Sequence, residues 1–187
     1  MRIVRKRNVL LAFVVLIVPL LLQSPLAAYV TRPESQQLTQ LLSDANDEAL
    51  QLANDAEETE TLILNDSNWV IHALALARVK GHVDNMALII EKLSKTQKSG
   101  SELQEQAVEQ MLPVVKELST NTTDAINYLN QNKDRPVSDA YTQYLKKNRD
   151  TARQLSSMIS SLLEYQKSMA EIDRLRSKLV VSGSPTP

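Results

Sequence analysis

From Leu38 to Leu179, apolar side chains recur every three or four residues with only short polar interruptions. That spacing lays one face of a helix along a shared seam, and it divides this chain into four helices. The first opens after Pro33 with Glu34 in its first turn and ends near Asn65. Leu38, Leu41, Ala45, Leu52, Ala56 and Ile63 mark its seam, Leu42, Ala49 and Ala53 widen it, and acids crowd the other faces. The second begins at a cap on Asp66 or Ser67 and runs Trp69, His72, Leu76, Val79, Val83, Met86, Ile90, Leu93 to a stop near Lys98. Those steps alternate between three and four, the heptad of antiparallel bundles. Gly81 lies off that seam; at a cost of about 1 kcal/mol against Ala in a helix, it suggests close approach of a neighbouring helix.

Ser101-Glu102-Leu103-Gln104 has the form of a capping box and starts the third helix, which continues through Val108, Met111, Val115, Leu118, Thr122, Ile126 and Leu129. Pro113 should kink it near Glu109, and Ser119 to Thr123 is a weak helical stretch where irregularity is expected. Pro136 at the first helical position starts the fourth helix. Its seam is Tyr141, Leu145, Asn148, Ala152, Leu155, Ile159 and Leu162, and it slips phase by one residue before Tyr165, Met169, Ile172 and Leu179.

These elements predict an all-α fold, an antiparallel up-down-up-down four-helix bundle with an extended fourth helix. Three helices of about 30 residues span about 45 Å each, whereas a fourth of about 44 residues spans about 66 Å. Its excess, residues 167–180, overhangs the end where the first helix begins. Met169, Ile172, Leu175 and Leu179 are apolar there and form a candidate interface, for a protein partner or a second copy. Folding back on residues 29–37 is the competing use of that stripe.

Composition supports the helical reading and narrows the chemistry. The chain has three Gly, one Phe, one Trp and no Cys, so the core must be aliphatic. Without Cys there is no disulfide, thiolate metal site or lipidated anchor. Arg2, Arg5, Lys6 and Arg7 precede an apolar run at residues 9–22, then Gln23, Ser24 and Pro25, the layout of a secretory signal. The run is short of the roughly 20 residues of a spanning helix and holds Pro19. The expected organisation is a signal peptide at 1–28, cut after Ala28 or retained as an anchor, a bundle domain at 29–180 and a disordered tail at 181–187. Leu26 at the third position before the cut makes that site imperfect. The rest of the chain is then exported, to the periplasm or outside the cell, with residues 9–22 as the only possible tether. Removing the leader moves the formal charge from −1 to −5, a mildly acidic surface that argues against nucleic acid or anionic lipid as partner.

Few residues offer chemistry. His72 lies in the seam one turn after Trp69 and points inward. It is a candidate ligand for haem or a metal, with Met86, Met111 or Met158 as second axial ligand. Equally, it is a core histidine bonded to a polar seam residue such as Thr122 or Asn148. His82 lies about 15 Å further along the helix and cannot share an ion with it. There is no Glu-x-x-His, no His-Glu-x-x-His and no Gly-rich phosphate loop. Every Ser falls by pattern in a cap, a turn or a solvated face, so no nucleophile constellation forms and no enzyme, cofactor or metal site is expected. Tyr128, Tyr141, Tyr144 and Tyr165 form a possible aromatic patch. Asn65-Asp66-Ser67 and Asn121-Thr122-Thr123 are formal glycosylation sequons.

Trp69-x-x-His72-Ala73, then Val79-Lys80-Gly81-His82-Val83-Asp84-Asn85-Met86, and later Asn121-Thr122-Thr123, resembles an uncharacterised family of exported bacterial helical proteins, over about residues 67–165. The resemblance implies a bundle fold and a bacterial exported setting, and it brings no activity with it. Two functional expectations follow: an exported, non-enzymatic bundle acting by protein–protein contact, and a haem- or metal-binding bundle centred on His72.

Overall fold

The computed structural model describes residues 36–65, 68–96 and 102–182. The leader, the capping box at Ser101, the caps expected at Asp66 or Ser67, and residues 183–187 of the tail lie outside the described residues. Four long helices account for most of the described chain: α1 (Gln36–Thr61), α2 (Trp69–Thr96), α3 (Glu102–Gln131) and α4 (Asp139–Ser182). A 3-10 turn, Leu62–Asn65, finishes α1. None of the described helices is long and apolar enough to cross a membrane.

Each helix packs against two neighbours, in the cyclic order α1, α2, α3, α4. Cross-helix contacts give the directions. From Asn46 to Glu57 to Glu60 on α1, the partners on α4 run backwards, from Ser160 to Arg153 to Arg149. From Glu48 to Glu58 on α1, the partners on α2 retreat from His82 to Arg78. On α3, Glu117 meets Lys147 and Tyr128 meets Ser138, so α4 runs against it too. The architecture is the up-down-up-down bundle that the heptads predict.

The caps differ from the sequence expectation. Asn68 caps α2, its Oδ1 accepting from the backbone N–H of Val70 (3.0 Å) and Ile71 (3.3 Å). Ser138 caps α4, its Oγ accepting from the N–H of Tyr141 (3.2 Å). Pro136 therefore precedes the cap instead of opening the helix. The Ser119–Thr123 stretch is regular helix, and α3 continues through Pro113. Hydroxyls of Thr120 and Thr123 fold back onto the carbonyls of Lys116 (3.0 Å) and Ser119 (2.8 Å), which accommodates them within the helix. At the far end, Val181 and Ser182, expected in the disordered tail, belong to α4.

The seam of α1 also shifts. Leu38, Leu42, Ala45, Ala49, Leu52, Ala56 and Thr59 are its buried file, while Leu41 and Ile63 are only partly covered. That file alternates four and three throughout, so the small residues Ala45, Ala49 and Ala56 sit on the inner line. Near the C-terminus of α3, Leu129 is buried as expected, but Ala125 takes the inward place expected for Ile126, which lies at the edge. The α2 seam is buried as expected from His72 to Leu93, and Trp69 is half-buried at its mouth.

The core is aliphatic and has two parts. The larger joins Leu38, Leu52, Val83, Met86, Met111, Leu118, Leu155 and Ile159 among others. The smaller consists of Leu76, Ala125, Leu129, Tyr141 and Leu145. Between them lie buried polar residues of α3 and α4, Asn121, Thr122 and Asn148.

Helix lengths separate α4 from the rest: 26, 28 and 30 residues for α1, α2 and α3, against 44 for α4. Leu162 is its last fully packed seam residue. From Ala170 to Leu179 every residue is exposed.

Candidate functional site

The polar interior is concentrated at the end of the bundle where α2 and α4 begin. His72 comes from the first turn of α2 and Tyr141 from the first turn of α4, and both are fully buried. The Tyr141 hydroxyl lies 3.2 Å from His72 Nδ1, with the rings edge-on at 5.3 Å. Tyr128 stacks on Tyr141 at 6.0 Å, and its hydroxyl meets the Ser138 Oγ at 2.6 Å. Tyr144 tilts against Tyr128, and Lys133 holds its ammonium 4.8 Å over the Trp69 ring. The expected aromatic patch is thus built from Tyr128, Tyr141 and Tyr144; Tyr165 stands half exposed near the opposite end.

Burial governs the protonation of this pair. It pushes the His72 pKa below its ordinary 6.5 and that of Tyr141 well above 10. Both are therefore neutral across the physiological range. A neutral imidazole accepting at Nδ1 carries its proton on Nε2, and Nε2 is buried with no hydrogen-bond partner among the described residues.

Two turns deeper along α4, the Asn148 Oδ1 accepts from Asn121 Nδ2 (2.7 Å) and Thr122 Oγ1 (3.2 Å). Asn121 Nδ2 also donates to the Tyr144 carbonyl at 2.8 Å. This clip locks α3 to α4 at a fixed level, the register-setting use of buried amides. The expected partner of His72 was Thr122 or Asn148, but those two bond to each other and Tyr141 takes the histidine. Asn121 was read as part of a weak helical stretch; with its side chain buried and its amide engaged, its sequon is closed in the folded chain.

The ligand pairs suggested for His72 are not brought together. Met86 and Met111 are buried in the larger core cluster with Met158 against it. Met86 is also about 21 Å along α2 from His72. Among the described residues there is no group of three His, Asp or Glu side chains able to hold a metal ion.

His82 lies among carboxylates of α1. Its Nδ1 lies 2.6 Å from Glu48 and its Nε2 3.3 Å from Asp55, in a half-buried position between α1 and α2. Carboxylates only accept, so each contact needs a proton on the nitrogen facing it. Asn85 adds a bond to Glu48 at 3.2 Å, and Arg78 reaches both Asp55 (3.4 Å) and Glu58 (2.9 Å). The acidic face of α1 is in part an ion-paired surface against α2. Further cross-links run from Glu57 to Arg153 (2.6 Å) and from Glu60 to Arg149 on α4.

A shallow groove of about 420 Å³ lies beside Pro113 between α3 and α4. Lys116 and Lys147 line it against Glu117 and Asp124, and Lys147 already pairs with Glu117 at 3.0 Å. Two cations against two anions select no ligand charge.

The candidate interface residues sit on the projecting part of α4. Met169 is half-buried, while Ile172 and Leu175 are 41% and 48% exposed and Leu179 is 72% exposed. Glu171 and Arg174 pair there within the helix at 2.6 Å. In comparisons with known proteins, no family model, no curated protein and no solved structure matches the chain.

Proposed function

We propose that this protein is a non-enzymatic, exported helical bundle that acts by contact with another protein, as an envelope scaffold, a chaperone-like factor or an assembly factor. The projecting end of α4 is the surface it offers. The observation that carries this reading is the exposure of Ile172 and Leu175 on a helix that outruns its neighbours. Solvent-facing aliphatic residues on an isolated rod gain little in a monomer, whereas a partner that covers them gains about 25 cal/mol per Å² of apolar surface. The bacterial exported setting belongs to the same proposal and rests on the leader and on the family resemblance.

The test replaces Arg176 with a photoreactive residue and cross-links in the producing cells. An adduct of defined mass should appear, and it should vanish in the Ile172→Asp/Leu175→Asp variant while helix content and melting are unchanged. No adduct, or one indifferent to those substitutions, overturns the reading. Mass spectrometry of the exported protein decides the rest: an N-terminus at Tyr29 supports a freed bundle, and an intact leader supports a tethered one.

A second reading, a haem or metal site at His72, draws on the buried Nε2 that has no partner among the described residues. An absorption spectrum and elemental analysis of protein from its own host test it, and a colourless, metal-free product sinks it.

A further inference from the structure

The packed seam of α4 ends at Leu162. Its continuation falls on Gln166 and Met169, and both are half-buried against the bundle. A second line starts one residue earlier, at Tyr165, and passes through Ser168, Ile172, Leu175 and Leu179 in alternating steps of three and four. One residue is about 100° of helix, so this line faces sideways from the packed face. Its four large side chains are all exposed. Neither α1 nor α3 runs far enough to cover it. The Asn46–Ser160 bond fixes the levels of α1 and α4, so Gln36, where α1 begins, stands level with Ala170. Glu117 meets Lys147, so Glu102, where α3 begins, stands level with Leu162. On the body side the line meets Ser161 and Gln154, both exposed and polar, so the apolar seam starts at Tyr165.

We propose that the partner of this surface is a second copy of the chain, the two α4 ends forming a short parallel two-stranded coil about a two-fold axis. This rests on the projecting end of α4 being the contact surface, and it names what meets it. In a parallel pair each seam residue packs on its own counterpart, so Tyr165, Ile172, Leu175 and Leu179 all meet large side chains. Ile172 takes the position where β-branched residues favour two parallel strands, and Leu175 the one where leucine does. An antiparallel pair levels Ile172 with Leu175 of the second copy, but it sets Leu179 on Ser168 and Tyr165 on Ser182. Only the parallel pair joins all four.

The flanking charges fit that pair. Glu171 directly precedes Ile172, and Arg176 directly follows Leu175. Those are the positions that face each other across parallel strands, so Glu171 of each copy meets Arg176 of the other, twice by symmetry. The Arg176 side chain is 74% exposed and its tie to Asp173 is long, at 3.8 Å, so it can swing across. Glu171 accepts from Arg174 within its own helix, and its two oxygens keep lone pairs for a second guanidinium. The neighbouring flanking pair, Glu164 with Met169, brings no like charges together. An antiparallel pair would match Glu171 with Lys178 instead, so the apolar layers choose the direction. The contact is isologous and closes at two copies.

From Tyr165 to Leu179 the seam is about 21 Å long. It buries less than about 1,200 Å² in total, so the dimer is weak and concentration-dependent.

Sedimentation velocity of the full-length chain, purified as the host leaves it, should show a dimer at high concentration. Ile172→Asp/Leu175→Asp should abolish it with helix content unchanged. Glu171→Arg and Arg176→Glu should each weaken it about tenfold, by setting like charges together twice. Mixing those two variants should restore it, because the mixed pair has opposite charges at both sites. The chain has no cysteine, so Ser168→Cys adds a single thiol of nearly the same size within the seam. A parallel pair holds the two thiols in one layer, and mild oxidation should link them about tenfold faster than in Lys167→Cys, exposed on the next face. An antiparallel pair leaves the Ser168→Cys thiols about 16 Å apart along the axis. A monomer at every concentration overturns the proposal, as does a dimer indifferent to the aspartates, equal thiol rates or a mixture that stays dissociated. The photo-cross-link from position 176 keeps the two failures apart. An adduct of twice the chain mass supports the second copy. One of any other mass overturns it and leaves α4 as a surface for a different protein, and no adduct overturns both.

Discussion

The Tyr141 hydroxyl lies 3.2 Å from His72 Nδ1, so a buried hydrogen bond joins α4 to α2 across the diagonal of the bundle. Neighbouring helices are tied by side chains at their shared edges, but this contact crosses the centre. Burial keeps both groups neutral, the histidine by lowering its pKa and the tyrosine by raising its own. The pair joins helices; it is poorly suited to exchanging protons with solvent.

Acid should reveal it. The unfolded chain protonates His72 near its ordinary 6.5, while the folded chain, with the lowered value, does not. The contribution of His72 to stability is therefore level above pH 6.5 and falls as pH drops below it, down to the folded-state value. Chemical denaturation of His72→Gln should give a shallower loss below pH 6.5, by up to about 1.4 kcal/mol per pH unit.

Alkali should reveal the other partner. Tyr141 has a raised pKa, so its contribution is intact below the unfolded value of 10 and is lost as pH rises through the folded one. Ultraviolet titration should show one of the five tyrosines resisting ionisation until the bundle unfolds. In Tyr141→Phe that resistant step should disappear, and stability at neutral pH should drop by about 1–3 kcal/mol because His72 Nδ1 loses its partner.

Asn148→Ala leaves the donors of Asn121 and Thr122 buried without their shared acceptor. A loss of about 1–3 kcal/mol in urea unfolding is expected. Thr122→Ala, which removes only one donor to an oxygen that keeps another, should cost less.

In the larger core, Met86→Ala and Leu118→Ala empty fully buried positions and should each cost about 2–5 kcal/mol. Gly81→Ala should gain about 1 kcal/mol, because, against the close approach expected from sequence, the added methyl meets no atom and improves helix propensity.

Much of the fold was legible because the heptad is a strong local signal. Eight seam residues of α2 and seven of α4 could be named in advance, and His72 and Asn148 were among them. The errors have a common cause. In α1, Leu41 and Leu42 are adjacent and both apolar, so spacing admits either; the alanine file decides for Leu42 by letting neighbouring helices come close. Asn121 looked like a helix breaker in a polar run, yet a single amide can be buried when α4 supplies Asn148 and the Tyr144 carbonyl as acceptors.

The sequence by itself determined the number of helices, the inward faces of α2 and of the packed part of α4, and the excess length of α4, since period and length are properties of one segment. Only the tertiary structure decided that His72 meets Tyr141, that His82 sits between Glu48 and Asp55, and that Gly81 faces open space. Those facts depend on which levels of two different helices coincide. A periodic pattern specifies a side chain's direction, but the residue waiting there is set by the register between helices.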